Sequence, residues 1–193
     1  MTRRMIPALA PWAEMRAGFR WDIPATFNIA QGCCDSWAEA EPDRTAIIDL
    51  SDGRRVWTFG QLKAASDGLA ALLALRGVRR GDRVAILLPQ RAEVMVAHFA
   101  AMKLGAVSLP LFSLFGPEAL EYRLRDSGAK AVMTDGAGLT RLADLHLPDM
   151  AAMIDVDDWN AVAPVPAPVQ TRAEDPAMMI YTSGTTGTPK GVL

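Results

Sequence analysis

Cysteine and histidine are scarce in this chain of 193 residues, which has two of each: Cys33, Cys34, His98 and His146. Adjacent cysteines cannot bridge each other without strain, and two are too few for a disulfide framework. With no C-x-x-C spacing and no histidine cluster, there is no ligand set for zinc. The pair is read as reduced, packed thiols. An excess of charge of either sign is also missing. The 20 Lys and Arg against 22 Asp and Glu leave a net charge of −2, so no basic stripe exists to follow a nucleic-acid backbone. Arg76, Arg79, Arg80 and Arg83 cluster, but Gly77, Gly81 and Asp82 interrupt them, and they are read as a solvated turn. No apolar run reaches the ~18 residues that a membrane-spanning helix requires; the longest candidate, Gly105 to Phe115, is broken by Pro110. Thr2-Arg3-Arg4 ahead of Met5 to Ala10 imitates an export signal. Pro7, Pro11, Glu14 and Arg16 spoil its apolar segment, and a cytoplasmic location is expected.

What is present is apolar periodicity. Half of the residues are hydrophobic, enough to bury a substantial core. After an irregular aromatic arm, a helix is expected from Ile29 to Glu41, ended by Pro42. Thr45 to Asp49 reads as a strand, Asp52-Gly53 as a hairpin turn and Val56 to Thr58 as the return strand. Thr58 with Gln61 forms a capping box ahead of Leu62, Ala65, Leu69, Leu72 and Leu73, and Gly77 ends that helix. Val84 to Leu88 is a continuous apolar run suited to a strand buried on both faces. A helix over Ala92 to Leu104, a strand over Ala106 to Leu109, a helix from Pro117 to Gly128 and strands at Ala131 to Met133 and Ala152 to Ile154 follow. This alternation predicts an α/β fold with a largely parallel sheet flanked by helices. The expected organisation is an arm and first helix over 1–44, an α/β unit over 45–162, a proline-rich connector over 163–176 and a strand plus loop over 177–193.

The last segment carries the chemistry. Directly after Ala177-Met178-Met179-Ile180 comes Tyr181-Thr182-Ser183-Gly184-Thr185-Thr186-Gly187-Thr188-Pro189-Lys190-Gly191. Glycines let backbone N–H groups turn inward, hydroxyls add donors and the lysine adds positive charge, a composition suited to gripping phosphate. It is not a Walker A loop: Pro189 precedes the lysine, and Gly191 stands where a magnesium-binding hydroxyl would follow it.

This segment resembles the phosphate-binding signature of the adenylate-forming (AMP-binding) superfamily. Gly81-Asp82-Arg83-Val84-Ala85 and Lys103-Leu104-Gly105-Ala106-Val107 through Leu111 resemble two further segments of it. Phe27 to Ala30 and Gly116 to Gly128 look most like the acetyl-, medium-chain and benzoate-type acyl-CoA synthetases. Read by themselves, these upstream residues are structural, with Gly105 a helix cap, Pro110 a strand end, Asp82 a turn residue and His98 a packed or partly exposed histidine and not a catalyst.

The resemblance implies that a carboxylic acid is activated by ATP to an acyl-adenylate and passed to coenzyme A. It implies that Thr182 to Lys190 embraces the β- and γ-phosphates. Ser183, Thr185, Thr186 and Thr188 would offer hydroxyls, Gly184, Gly187 and Pro189 would shape the loop, Lys190 would supply charge and Thr182 would touch Mg²⁺. The family's remaining catalytic groups and most of its acyl pocket would lie beyond Leu193. The chain is therefore expected to be the N-terminal part of the large domain, inactive and poorly soluble by itself. Transfer to a different acceptor, or a non-catalytic nucleotide- or partner-binding role, are the alternatives.

Overall fold

The computed structural model describes residues 11–158, 165–183 and 187–193. Pro164 of the expected connector and the expected site residues Gly184, Thr185 and Thr186 lie outside them. Along the chain come α1 (Trp12–Gly18), a π-helical turn (Gln31–Asp35) running into α2 (Ser36–Ala40), the strands β1 (Thr45–Asp49) and β2 (Arg55–Thr58), then α3 (Phe59–Leu75), β3 (Arg83–Leu87), α4 (Ala92–Lys103), β4 (Val107–Pro110), α5 (Pro117–Asp126), β5 (Ala129–Thr134), α6 (Gly136–Leu142) and β6 (Ala152–Asp155), and last the short strands β7 (Ile180–Thr182) and β8 (Lys190–Val192).

Strands β4-β3-β5-β6 form a parallel sheet in that order. Alternate residues of the central strand β3 feed two cores. Val84 and Ile86 pack with α3 and α4, through Leu69, Leu73, Val96 and Ala100. Ala85 and Leu87 pack with α5 and α6, through Leu120, Leu124 and Leu142. Helices thus cover both faces, which is why β3 reads as an unbroken apolar run. The β1–β2 hairpin turns through Gly53 at φ +71. Thr58 and Gln61 make the expected reciprocal capping box on α3. Gly105, at φ +64 after α4, occupies a backbone region that side chains disfavour, so the helix ends there and the chain enters β4.

Side chains far apart in sequence tie these elements together. Asp49 at the end of β1 is buried and accepts from the Ser51 amide, the Ala92 amide at the start of α4 and Arg55 (2.8, 3.1 and 2.6 Å). Bonds from Ser51 foremost, then Ala92 and Arg55, hold its carboxyl well below the usual carboxylate range. Lys103 is fully buried, contacting Asp67 and lying 2.8 Å from Asp35. Asp67 also pairs with Lys63 at 2.6 Å. The π-helical turn widens the backbone so that neighbours Cys34 and Asp35 both point inward.

Several parts differ from the sequence expectation, Cys33 among them, which is exposed and not packed like Cys34. The arm contains the short helix α1, none of whose residues is buried. Helix α6 arises in a segment with two glycines because Asp135 caps Gly138 N (2.8 Å) and Leu142 is buried in the second core. Arg83 is not merely solvated: its Nε donates to Ser127 O (2.6 Å) and its Nη2 to Gly128 O (2.9 Å), fastening β3 to the turn before β5. The connector is strapped to the arm. Phe27 and Thr171 form a bridge, and Asn28 Nδ2 donates to Val169 O (2.8 Å) and Met102 O (2.7 Å).

Candidate functional site

The final segment returns to the sheet at β4. Ser108 N–H donates to Ala177 O (3.0 Å), and Met179 N–H donates to Ser108 O (2.9 Å), so this stretch extends the parallel sheet past its edge strand. The strand expected over Ala177 to Tyr181 is then divided. Its first half lies along β4; its second half, β7, pairs antiparallel with β8 in the register Ile180↔Val192, Tyr181↔Gly191 and Thr182↔Lys190.

The ladder therefore makes the two ends of the expected phosphate loop cross-strand partners. Thr182 is the last residue of β7 and Lys190 the first of β8. Ser183 leaves the first strand, and Gly187, Thr188 and Pro189 lead into the second. Thr182, Ser183, Gly187, Thr188 and Lys190 are exposed, and Pro189 is half-buried. Gly187 sits at φ +111, a conformation reserved for glycine, which lets the chain swing back towards the ladder. The mouth of the loop thus has a lysine facing a threonine, with further hydroxyls from Ser183 and Thr188. This donor set suits an anion.

Helix α5 supports the hairpin from below. Tyr122 Oη donates to Pro189 O (2.9 Å), at the end of the loop. Tyr181 Oη donates to Asp126 Oδ2 (2.6 Å), anchoring the strand before it. The two tyrosine rings meet edge to face, with centroids 6.3 Å apart. Arg123 is buried beneath them, its guanidinium 4.0 Å from the Phe115 ring centroid and 5.6 Å from that of Tyr181. Burial first, and the bond to Asp126 second, keep the Tyr181 phenol protonated, far above its ordinary range. A shallow cleft of about 660 Å³ borders this helix. Its charged lining is four carboxylates (Glu118, Glu121, Asp126 and Asp149) against one arginine, Arg125, a net acidic set that includes no residue of the loop.

His98 lies buried on α4 with Nδ1 2.5 Å from Ser108 Oγ. Burial pushes its pKa down, which favours the neutral ring. It packs, as the sequence suggested. The sequence reading did not single out Ser108, Tyr122 or Asp126 as partners of the loop. Tyr122 and Asp126 are four apart and share a helix face; nothing in the sequence says which segment that face meets.

Two features define the class: a helix-covered parallel sheet, and a hydroxyl- and glycine-bearing hairpin loop beside its β4 edge. Residues 34–193 match the family model described as AMP-binding enzyme, and the chain belongs to that family. It is 34% identical to an acetyl-coenzyme A synthetase of Novosphingobium aromaticivorans, covering 93% of this chain and 33% of that protein. It is 32% identical to one from Syntrophobacter fumaroxidans, covering 95% and 34%. The chain thus spans about a third of the length of these curated relatives. Among solved structures, a Brucella canis acyl-CoA synthetase superposes with a TM-score of 0.78 at 28% identity, over 95% of this chain and 38% of that one. O-succinylbenzoate coenzyme A synthetase from Bacillus subtilis, solved with AMP, superposes with a TM-score of 0.67 at 32% identity, over 83% and 41%.

Proposed function

We propose that this chain supplies the phosphate-gripping part of an AMP-forming acyl-CoA synthetase, which activates a short- or medium-chain or aromatic carboxylic acid with ATP and transfers it to coenzyme A. The observation that carries this reading is the Thr182↔Lys190 pair at the mouth of a loop rich in hydroxyls and glycine. The sequence likeness to acetyl-coenzyme A synthetases supports it.

In this reading Thr182 to Lys190 hold the β- and γ-phosphates of ATP. Ser183, Thr185, Thr186 and Thr188 donate hydroxyl hydrogen bonds, and Gly184 and Gly187 let backbone amides approach. Pro189 fixes the exit of the loop, and Lys190 balances charge on the departing pyrophosphate. Holding the polyphosphate still is what allows in-line attack by a carboxylate on the α-phosphorus. Magnesium would neutralise phosphate charge while keeping several waters and needing few protein oxygens; the exposed Thr182 hydroxyl would be one of them.

The test is titration of the chain with ATP and Mg²⁺, followed by amide chemical shifts. Shifts confined to 181–191 are expected, and Lys190→Ala should weaken binding about 10- to 100-fold, the worth of one charge-assisted hydrogen bond. Unchanged affinity in Lys190→Ala would refute the assignment.

A further inference from the structure

We infer that Tyr122 and Asp126 on α5 are positioning residues for the loop, forming a crossed clamp that fixes the spacing of its two ends before any ligand arrives. The inference rests on the phosphate-binding reading above but concerns residues outside the loop. Each end of the loop is tied to the helix by side-chain bonds running in opposite directions, and Tyr181 Oη also lies 3.3 Å from Arg123 O. Tyr122 reaches from the helix to the carbonyl of Pro189 at the exit. Tyr181 reaches from the strand at the entrance to the carboxylate of Asp126. The rings cross edge to face between the two bonds, above the buried Arg123 guanidinium.

The geometry makes this more than packing. The hairpin ladder has three residue pairs, and a two-stranded hairpin of that length is at best marginally stable in water. Its loop-side pair, Thr182 and Lys190, is exposed. Without an outside hold, the spacing between the lysine and the hydroxyls would fluctuate, and each anion captured would have to order the loop first. The clamp fixes the residue before Thr182 and the residue before Lys190. Both Tyr122 and Asp126 come from one turn of a helix whose Leu120 and Leu124 are anchored in the core, so the hold is rigid.

Three variants separate positioning from bulk stability. Tyr122→Phe keeps the ring and removes only the hydroxyl; Asp126→Asn keeps a side-chain acceptor for Tyr181, whereas Asp126→Ala leaves it only the longer contact to Arg123 O (3.3 Å). Tyr122→Phe and Asp126→Ala are expected to speed amide exchange at Lys190, Gly191 and Val192 at least threefold. Tyr122→Phe should weaken ATP binding about three- to tenfold, the worth of one neutral hydrogen bond, Asp126→Ala at least as much because its bond is charge-assisted, and Asp126→Asn should fall between Asp126→Ala and the parent in both readouts. Ser36→Ala, which loses a comparable exposed bond to Gln31 O, serves as the control and should alter neither readout. Parent-like exchange or parent-like ATP affinity in Tyr122→Phe would overturn the clamp. If the parent chain itself binds no ATP, the phosphate-binding reading fails, and the exchange rates alone decide whether α5 orders the loop.

Discussion

Lys103→Met is the most severe single test of how this fold is held. Lys103 is fully buried and serves two carboxylates, Asp35 at the end of the π-helical turn and Asp67 on α3. Asp35 Oδ1, 2.8 Å from the ammonium, has no well-directed hydrogen-bond donor, so the Coulomb contact is what stabilises it. Removing the cation leaves Asp35 buried and uncompensated. Asp67 is less exposed to this loss because Lys63 still lies 2.6 Å away. Breaking a buried pair by removing one partner costs about 3–5 kcal/mol, a large share of the ~5–15 kcal/mol that holds a typical domain together. At roughly 2–4 °C per kcal/mol for a chain of this size, the melting temperature should fall by roughly 6–20 °C. Because Asp67 keeps Lys63, neutralising Asp35 as well should recover more than half of the loss. Urea melts of the parent, Lys103→Met and Lys103→Met/Asp35→Asn measure both effects. A single-variant cost under about 1 kcal/mol, or a double variant no better than the single, would refute the reasoning.

Two further outcomes follow from burial. Acidification should destabilise the chain partly through His98. Burial holds the native pKa below the ordinary value near 6.5, so the unfolded state takes up the proton first, and the stability present above that value is lost as the pH drops towards the native one. Thermal melts over roughly pH 7 to 5 should fall less steeply for His98→Gln than for the parent; parallel curves would exclude this contribution. Cys34 is buried, and burial raises its thiol to about 11, whereas Cys33 is exposed. Iodoacetamide at pH 8 should therefore modify one cysteine in the native chain and two after denaturation, and rapid double labelling without denaturant would contradict it.

Much of the fold was legible because both sheet faces are covered. That burial makes β3 a pure apolar run and leaves the flanking helices their own period. The turn glycines Gly53, Gly77 and Gly105 were readable for a similar reason, since each requires a backbone conformation costly to other residues. Helix α6 was not legible: its local sequence favours a turn, and only the Asp135 cap and the burial of Leu142 make it helical. The loop was recognisable from composition, but its division between two ladders was not. Tyr122, Asp126 and Ser108 meet the tail across 50 or more residues of chain, as the separations of 55 and 67 for the two tyrosine bonds illustrate. Residue type alone carries no record of such a meeting.

The strap between arm and connector has a consequence for biosynthesis. Asn28 finds one of its two acceptors at Val169, 141 residues later. At about 5–20 residues per second, a translating ribosome needs about 7–28 s to make that stretch. Asn28 therefore waits through that interval with its Met102 acceptor made well before its Val169 acceptor, and the strap closes only when most of the sheet is already synthesised.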